Sequence, residues 1–71
     1  MDILYYQNDK YGSVVRLKNH NIEIYRANDK RWEILPPDNS YMREIFLGQG
    51  NNCLTQITKE QAMEITGDNS L

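Results

Sequence analysis

Val15-Arg16-Leu17-Lys18-Asn19-His20-Asn21-Ile22-Glu23-Ile24-Tyr25-Arg26 is the stretch on which the reading of this chain turns. Apolar and polar residues alternate on both sides of Lys18-Asn19-His20-Asn21, the pattern of two half-buried strands joined by a polar loop. The alternation also sets the register. If Val15 and Leu17 face the core with Ile22 and Ile24, then Leu17 opposes Ile22 and Val15 opposes Ile24. Arg16 then stands across from Glu23 on the outer face, a favourable cross-strand pair.

The strands extend outward from this hairpin. Ile3-Leu4-Tyr5-Tyr6-Gln7 reads as a first strand, ended by Asn8-Asp9-Lys10, and residues 11–17 read as the second. Arg31-Trp32-Glu33-Ile34-Leu35 alternates as a fourth, and Pro36-Pro37 stops it because proline cannot donate to a ladder. A two-residue Asn28-Asp29 turn before it would set Ile24 opposite Glu33 and put one strand on the wrong face. A three-residue loop, 27–29 or 28–30, instead keeps Ile24 on one side with Trp32 and Ile34. Trp32 is expected to be at least half buried as the anchor of a small core.

Residues 40–47 fit a short helix, with a strand as the alternative. As a helix, Tyr41, Met42, Ile45 and Phe46 share one side, Asn39 or Ser40 caps the start, and Gly48 closes the end. Residues 48–52 read as a loop and 53–57 as extended. Thr58-Lys59-Glu60-Gln61 is a capping box that opens a helix over 58–66, with Gly67 as its left-handed stop. Such a helix is too short to persist alone in water, so it must dock, through Ala62, Met63 and Ile65. Residues 68–71 are expected to fray.

These elements define an α+β fold: a small antiparallel β-meander of three or four strands over 1–35, with one or two short C-terminal helices packed on one face. At 71 residues the chain allows one domain, 1–71. A chain this short buries roughly 60% of its unfolded surface, which leaves little room for both a core and a deep pocket. Its charged fraction of 25% and apolar fraction of 39% are those of a folded chain, not a disordered one. The net charge of -2 divides as +1 over residues 1–35 and -3 over 36–71, too little to steer a charged partner.

Cys53 is the only cysteine, so no internal disulfide can form, and a reducing, cytoplasmic setting is the expectation. No apolar run approaches the ~20 residues of a membrane span. Met1-Asp2 opens no basic segment of a signal peptide.

Candidate chemistry is sparse. His20 reads as a polar turn residue and Cys53 as a small buried apolar one. One histidine and one cysteine so far apart do not make a metal site, and Asp2, Asp9, Asp29 and Asp38 do not follow a calcium-loop spacing. Gly48-Gln49-Gly50 lacks the remaining parts of a nucleotide-binding loop. No catalytic residue, cofactor or metal site is expected, and the chain reads as non-enzymatic.

The outer sheet face carries more. With Val15, Leu17, Ile22, Ile24, Trp32 and Ile34 inward, Arg16, Lys18, Glu23, Tyr25, Arg31 and Glu33 point outward. Arg16, Tyr25 and Arg31 are the candidate binding residues. An aromatic flanked by arginines can stack a base, but Glu23 and Glu33 on the same face would repel phosphate.

The run Tyr25-Arg26, Asp29 and Arg31-Trp32-Glu33, followed by Ile57-Thr58-Lys59-Glu60-Gln61-Ala62, resembles short bacterial and phage proteins. These share a tyrosine-to-tryptophan hairpin and a terminal capped helix, and the resemblance carries no activity over to this chain. The expectation is a protein-interaction module, a small regulator or inhibitor of another protein. A nucleic-acid binder using the outer face is the alternative. The open edges of such a sheet also allow a homodimer through an edge strand.

Overall fold

A computed structural model describes residues 3–48, 50 and 53–68. It contains β1 (Leu4–Asn8), β2 (Val14–Lys18), β3 (Asn21–Arg26), β4 (Arg31–Ile34), α1 (Ser40–Leu47), β5 (Leu54–Ile57) and α2 (Lys59–Thr66). The strands form one antiparallel sheet in the order β4-β3-β2-β1-β5. The fold is therefore α+β, an antiparallel meander followed by two helices. The extended segment between the helices adds a fifth strand beside β1. The readings of loop 48–52 and tail 68–71 fall in part outside the described residues, as does that of Met1-Asp2.

The central hairpin has the register its alternation dictates. Val15 pairs with Ile24, Arg16 with Glu23 and Leu17 with Ile22. The ladder runs on to Lys18 and Asn21, so the turn shrinks to Asn19-His20. Both have positive φ, 52° and 65°, as a type I′ turn requires to match the twist of its strands.

The next hairpin departs from expectation. Ile24 pairs with Glu33 and Tyr25 with Trp32. Trp32 and Ile34 therefore lie on the face opposite Val15, Ile22 and Ile24. Arg31 and Glu33, expected outside with Arg16 and Tyr25, lie on the face of Ile24. The expectation assumed one buried face, and this sheet is covered on both. On one side Val15, Ile22 and Ile24 pack with Tyr41, Met42 and Ile45 of α1. On the other, Tyr5 and Val14 pack with Ala62 of α2, and Ile3, Trp32 and Ile57 gather round them. Each helix takes one face, instead of both sharing one. After β4 the chain crosses over one face as α1, adds β5 at the far edge, and returns over the other face as α2. Glu33 tolerates its position because β4 is an edge strand: its carboxylate reaches the rim and pairs with Arg26 at 2.8 Å.

Local signals explain both helices. The Asn39 side chain accepts from the Met42 N–H at the start of α1, and Gly48 closes it in the left-handed region. Thr58 and Gln61 form the reciprocal capping box of α2, and Gly67 ends it. Two docking expectations need correction. Phe46 of α1 and Ile65 of α2 are 55% and 45% exposed, because a two-turn helix presents only one narrow stripe to the sheet.

Asn8, fully buried, ties the α1 face together. Its amide nitrogen donates to the Tyr41 hydroxyl at 3.3 Å. Its oxygen accepts from the backbone N–H groups of Lys10 and Tyr11, shaping the β1–β2 turn. Every polar bond of this buried amide has a structural use.

Candidate functional site

The α2 face gathers the most unusual side chains of the molecule. Arg16 on β2 and Glu23 on β3 stand opposite each other, and the guanidinium Nε and Nη2 reach one carboxylate oxygen at 2.7 and 2.6 Å. Both side chains are nearly buried, 13% and 12% exposed. The same guanidinium lies over the Trp32 ring, 4.1 Å from its centre. Tyr25 and Tyr5 meet that indole edge-on, with centroid separations of 5.3 and 6.5 Å. The indole N–H donates to Asp68 just past α2 at 3.1 Å, fastening the C-terminal end of the helix to β4.

Of the three sequence-proposed binding residues, the fold therefore brings Arg16 and Tyr25 to one cluster and leaves Arg31 on the opposite face. Arg16 is occupied by Glu23 and Trp32. Arg31 is exposed at the sheet edge, 3.8 Å from Asp29.

Tyr25 also opens outward. Beside it, the β1–β2 turn, the end of β3 and the last turn of α2 enclose a groove of about 380 Å³. Tyr11, Val14, Tyr25, Arg26 and Ile65 are its main walls. Tyr11 and Ile65, at 72% and 45% exposed, stand as two apolar posts at its rim. The groove exists because α2 is short: Ala62 seals the sheet, and one turn later Ile65 overhangs the gap to the β1–β2 turn. Neither Tyr11 nor Ile65 was singled out as a binding residue in the sequence. Tyr11 read as part of a strand and Ile65 as a docking residue, and only the third dimension sets them on either side of a gap.

Arg26 at the groove's edge bonds Glu33 on the other side of β3. That bond first, and then the charges of Arg26 and Arg31, hold the Glu33 carboxyl below its ordinary value of 4.5 against a small opposing desolvation.

His20 is exposed in the β2–β3 turn. Cys53 is exposed and not buried as expected, because it precedes β5 in the left-handed region with φ 52°. Among the described residues, no group of three His, Cys, Asp or Glu side chains converges as metal ligands would. Likewise, no helix of the described residues is long and apolar enough to cross a membrane.

Comparison with known proteins finds no matching family, no matching curated protein and no matching solved structure. The functional reading rests on the geometry.

Proposed function

We propose that the protein is a non-enzymatic protein-interaction module, a small regulator or inhibitor, that seats an apolar side chain of a partner protein between Tyr11 and Ile65. The observation that carries this reading is the groove itself: a concave surface walled by two tyrosines and an isoleucine, with large apolar groups left exposed. Tyrosine is among the residue types enriched at the anchors of such contacts, offering large area at low entropic cost. The arginines nearest the groove support a protein partner over nucleic acid, since Arg16 and Arg26 are each engaged by a carboxylate of this chain. Phosphate would have to compete for both.

The test is capture from a host lysate with tagged protein, with and without nuclease, beside a Tyr11→Ala/Ile65→Glu variant. A protein retained by the wild type, resistant to nuclease and at least tenfold depleted on the variant is the expected result. Both side chains are exposed, so the variant keeps the fold, which circular dichroism checks. Retention that the variant leaves unchanged overturns the groove as the site. Retention that vanishes with nuclease or falls steeply with salt turns the assignment to nucleic acid.

A further inference from the structure

The sheet has two edges, and they differ in what their outward backbone groups already bind. Antiparallel ladders alternate, so every second residue of an edge strand points its N–H and C=O away from the sheet. On β5, Asp9 donates to the Cys53 carbonyl, so Leu54, Gln56 and Thr58 point outward. Side chains take two of these: the Leu54 N–H donates to Glu44 at 2.8 Å and the Thr58 N–H to Gln61 at 2.9 Å. On β4, Leu35 donates to the Ile22 carbonyl, so Trp32 and Ile34 point outward. Among the described residues, no side chain meets these two N–H groups.

The charges of β4 are also unevenly served. Arg31 stands directly across from Arg26, a like-charge pair, while Glu33 bonds Arg26. Among the described residues, the ion pair of Arg31 is with Asp29, at 3.8 Å and well exposed.

We infer that β4 pairs antiparallel with β4 of a second copy of this chain, with Trp32 opposite Trp32 of the other copy and Arg31 opposite its Glu33. This register follows from parity and charge. Outward-pointing residues must oppose each other, which permits Trp32 against Trp32, Trp32 against Ile34, or Ile34 against Ile34. The second sets Glu33 against Glu33. The third carries Trp32 against Pro36, which has no N–H to give. Only the first places a carboxylate across from each Arg31, and the two-fold axis makes that contact twice. The closed β5 edge favours this isologous dimer over an open-ended array joining β4 to β5. The inference is independent of the groove reading, since neither Tyr11 nor Ile65 enters it.

A four-residue strand buries less than a standard interface, so dissociation is expected in a range of roughly micromolar to millimolar. Sedimentation equilibrium on the full chain at low salt tests it. The wild type should move from the 8.4 kDa chain mass toward twice that value as concentration rises. Arg31→Glu should weaken association at least tenfold, and Arg31→Glu/Glu33→Arg should restore it. Ile34→Pro removes an outward N–H that the monomer's own ladder does not use, and it should weaken association at least tenfold while the circular dichroism spectrum stays that of the wild type. A wild type that remains monomeric up to about 1 mM overturns the inference. So does a dimer indifferent to folded Ile34→Pro, or one that the double charge reversal fails to restore.

Discussion

Under α1 the sheet buries Val15, Ile22 and Ile24 against Tyr41, Met42 and Ile45; under α2 it buries Tyr5 and Val14 beside an arginine, a glutamate and a tryptophan. The first face is held by aliphatic packing, with Asn8 as its one buried polar residue among those described. The second is held by aromatic edges and by charges that depend on one another. Aliphatic packing is non-directional and closes the α1 face around its core. The α2 face has directional demands, and its helix meets them only over Ala62 and Asp68, leaving the groove beyond. One sheet thus keeps a side for stability and a side with surface to spare.

The sharpest way to break this contrast is to hollow the α1 face. Ile22 is fully buried, so Ile22→Ala removes three carbons and leaves a cavity, at a cost of about 3–4 kcal/mol. Against a total of about 5 kcal/mol for a chain this small, most of the stability goes. On the other face Ile34 is 62% exposed, and Ile34→Ala should cost less than about 0.5 kcal/mol. Urea unfolding separates the two: a far lower midpoint for Ile22→Ala at unchanged slope is expected. Equal midpoints would mean that the α1 face does not carry the stability assigned to it.

The α2 face has a different failure mode. Arg16→Ala strips the partner from a nearly buried Glu23 and uncovers the Trp32 ring, at about 2–3 kcal/mol. Replacing both charges, as Arg16→Met/Glu23→Leu, should recover most of that loss, because the penalty lies in the unpaired carboxylate more than in the missing attraction. Trp32, the sole tryptophan, reports the local change through its emission. If the double variant is as unstable as the single one, the pair is not what holds this face.

What the sequence made legible follows the same division. The central register, the Arg16–Glu23 pair and the Thr58–Gln61 capping box all come from short-range rules, in which neighbouring residues decide the outcome. Trp32 did not. Its strand alternates whichever face is inward, and alternation alone says nothing about whether both faces are covered. The decisive information lay in Ala62, small enough to let a helix close over Tyr5 and Val14, thirty positions further on. The groove was hidden for the same reason: Tyr11 and Ile65 are remote in sequence and meet only through two turns and a helix end. The β5 edge was hidden too, since a glutamate on α1 gives no sign in the sequence that it will cap a strand.

The smallest effect belongs to the rim between the faces, where Arg26 and Glu33 form an exposed pair. The bond from Arg26 holds the folded Glu33 carboxyl below its ordinary 4.5. A carboxyl depressed in the folded state stabilises the fold above its unfolded value and loses that contribution as pH falls through its folded one. The difference in stability between the wild type and Arg26→Gln should therefore be steady near neutrality and shrink as pH drops below about 4.5. Added salt should shrink it as well, because exposed charges are screened, whereas the nearly buried Arg16–Glu23 pair should respond far less. Thermal unfolding across pH and ionic strength reads both trends. An Arg26→Gln difference that persists into acid, or that salt leaves untouched, would show that Arg26 acts through its contacts at the groove edge and not through Glu33. The rim would then belong with the α2 face, and the boundary between the packed and the available sides of the sheet would move to β3.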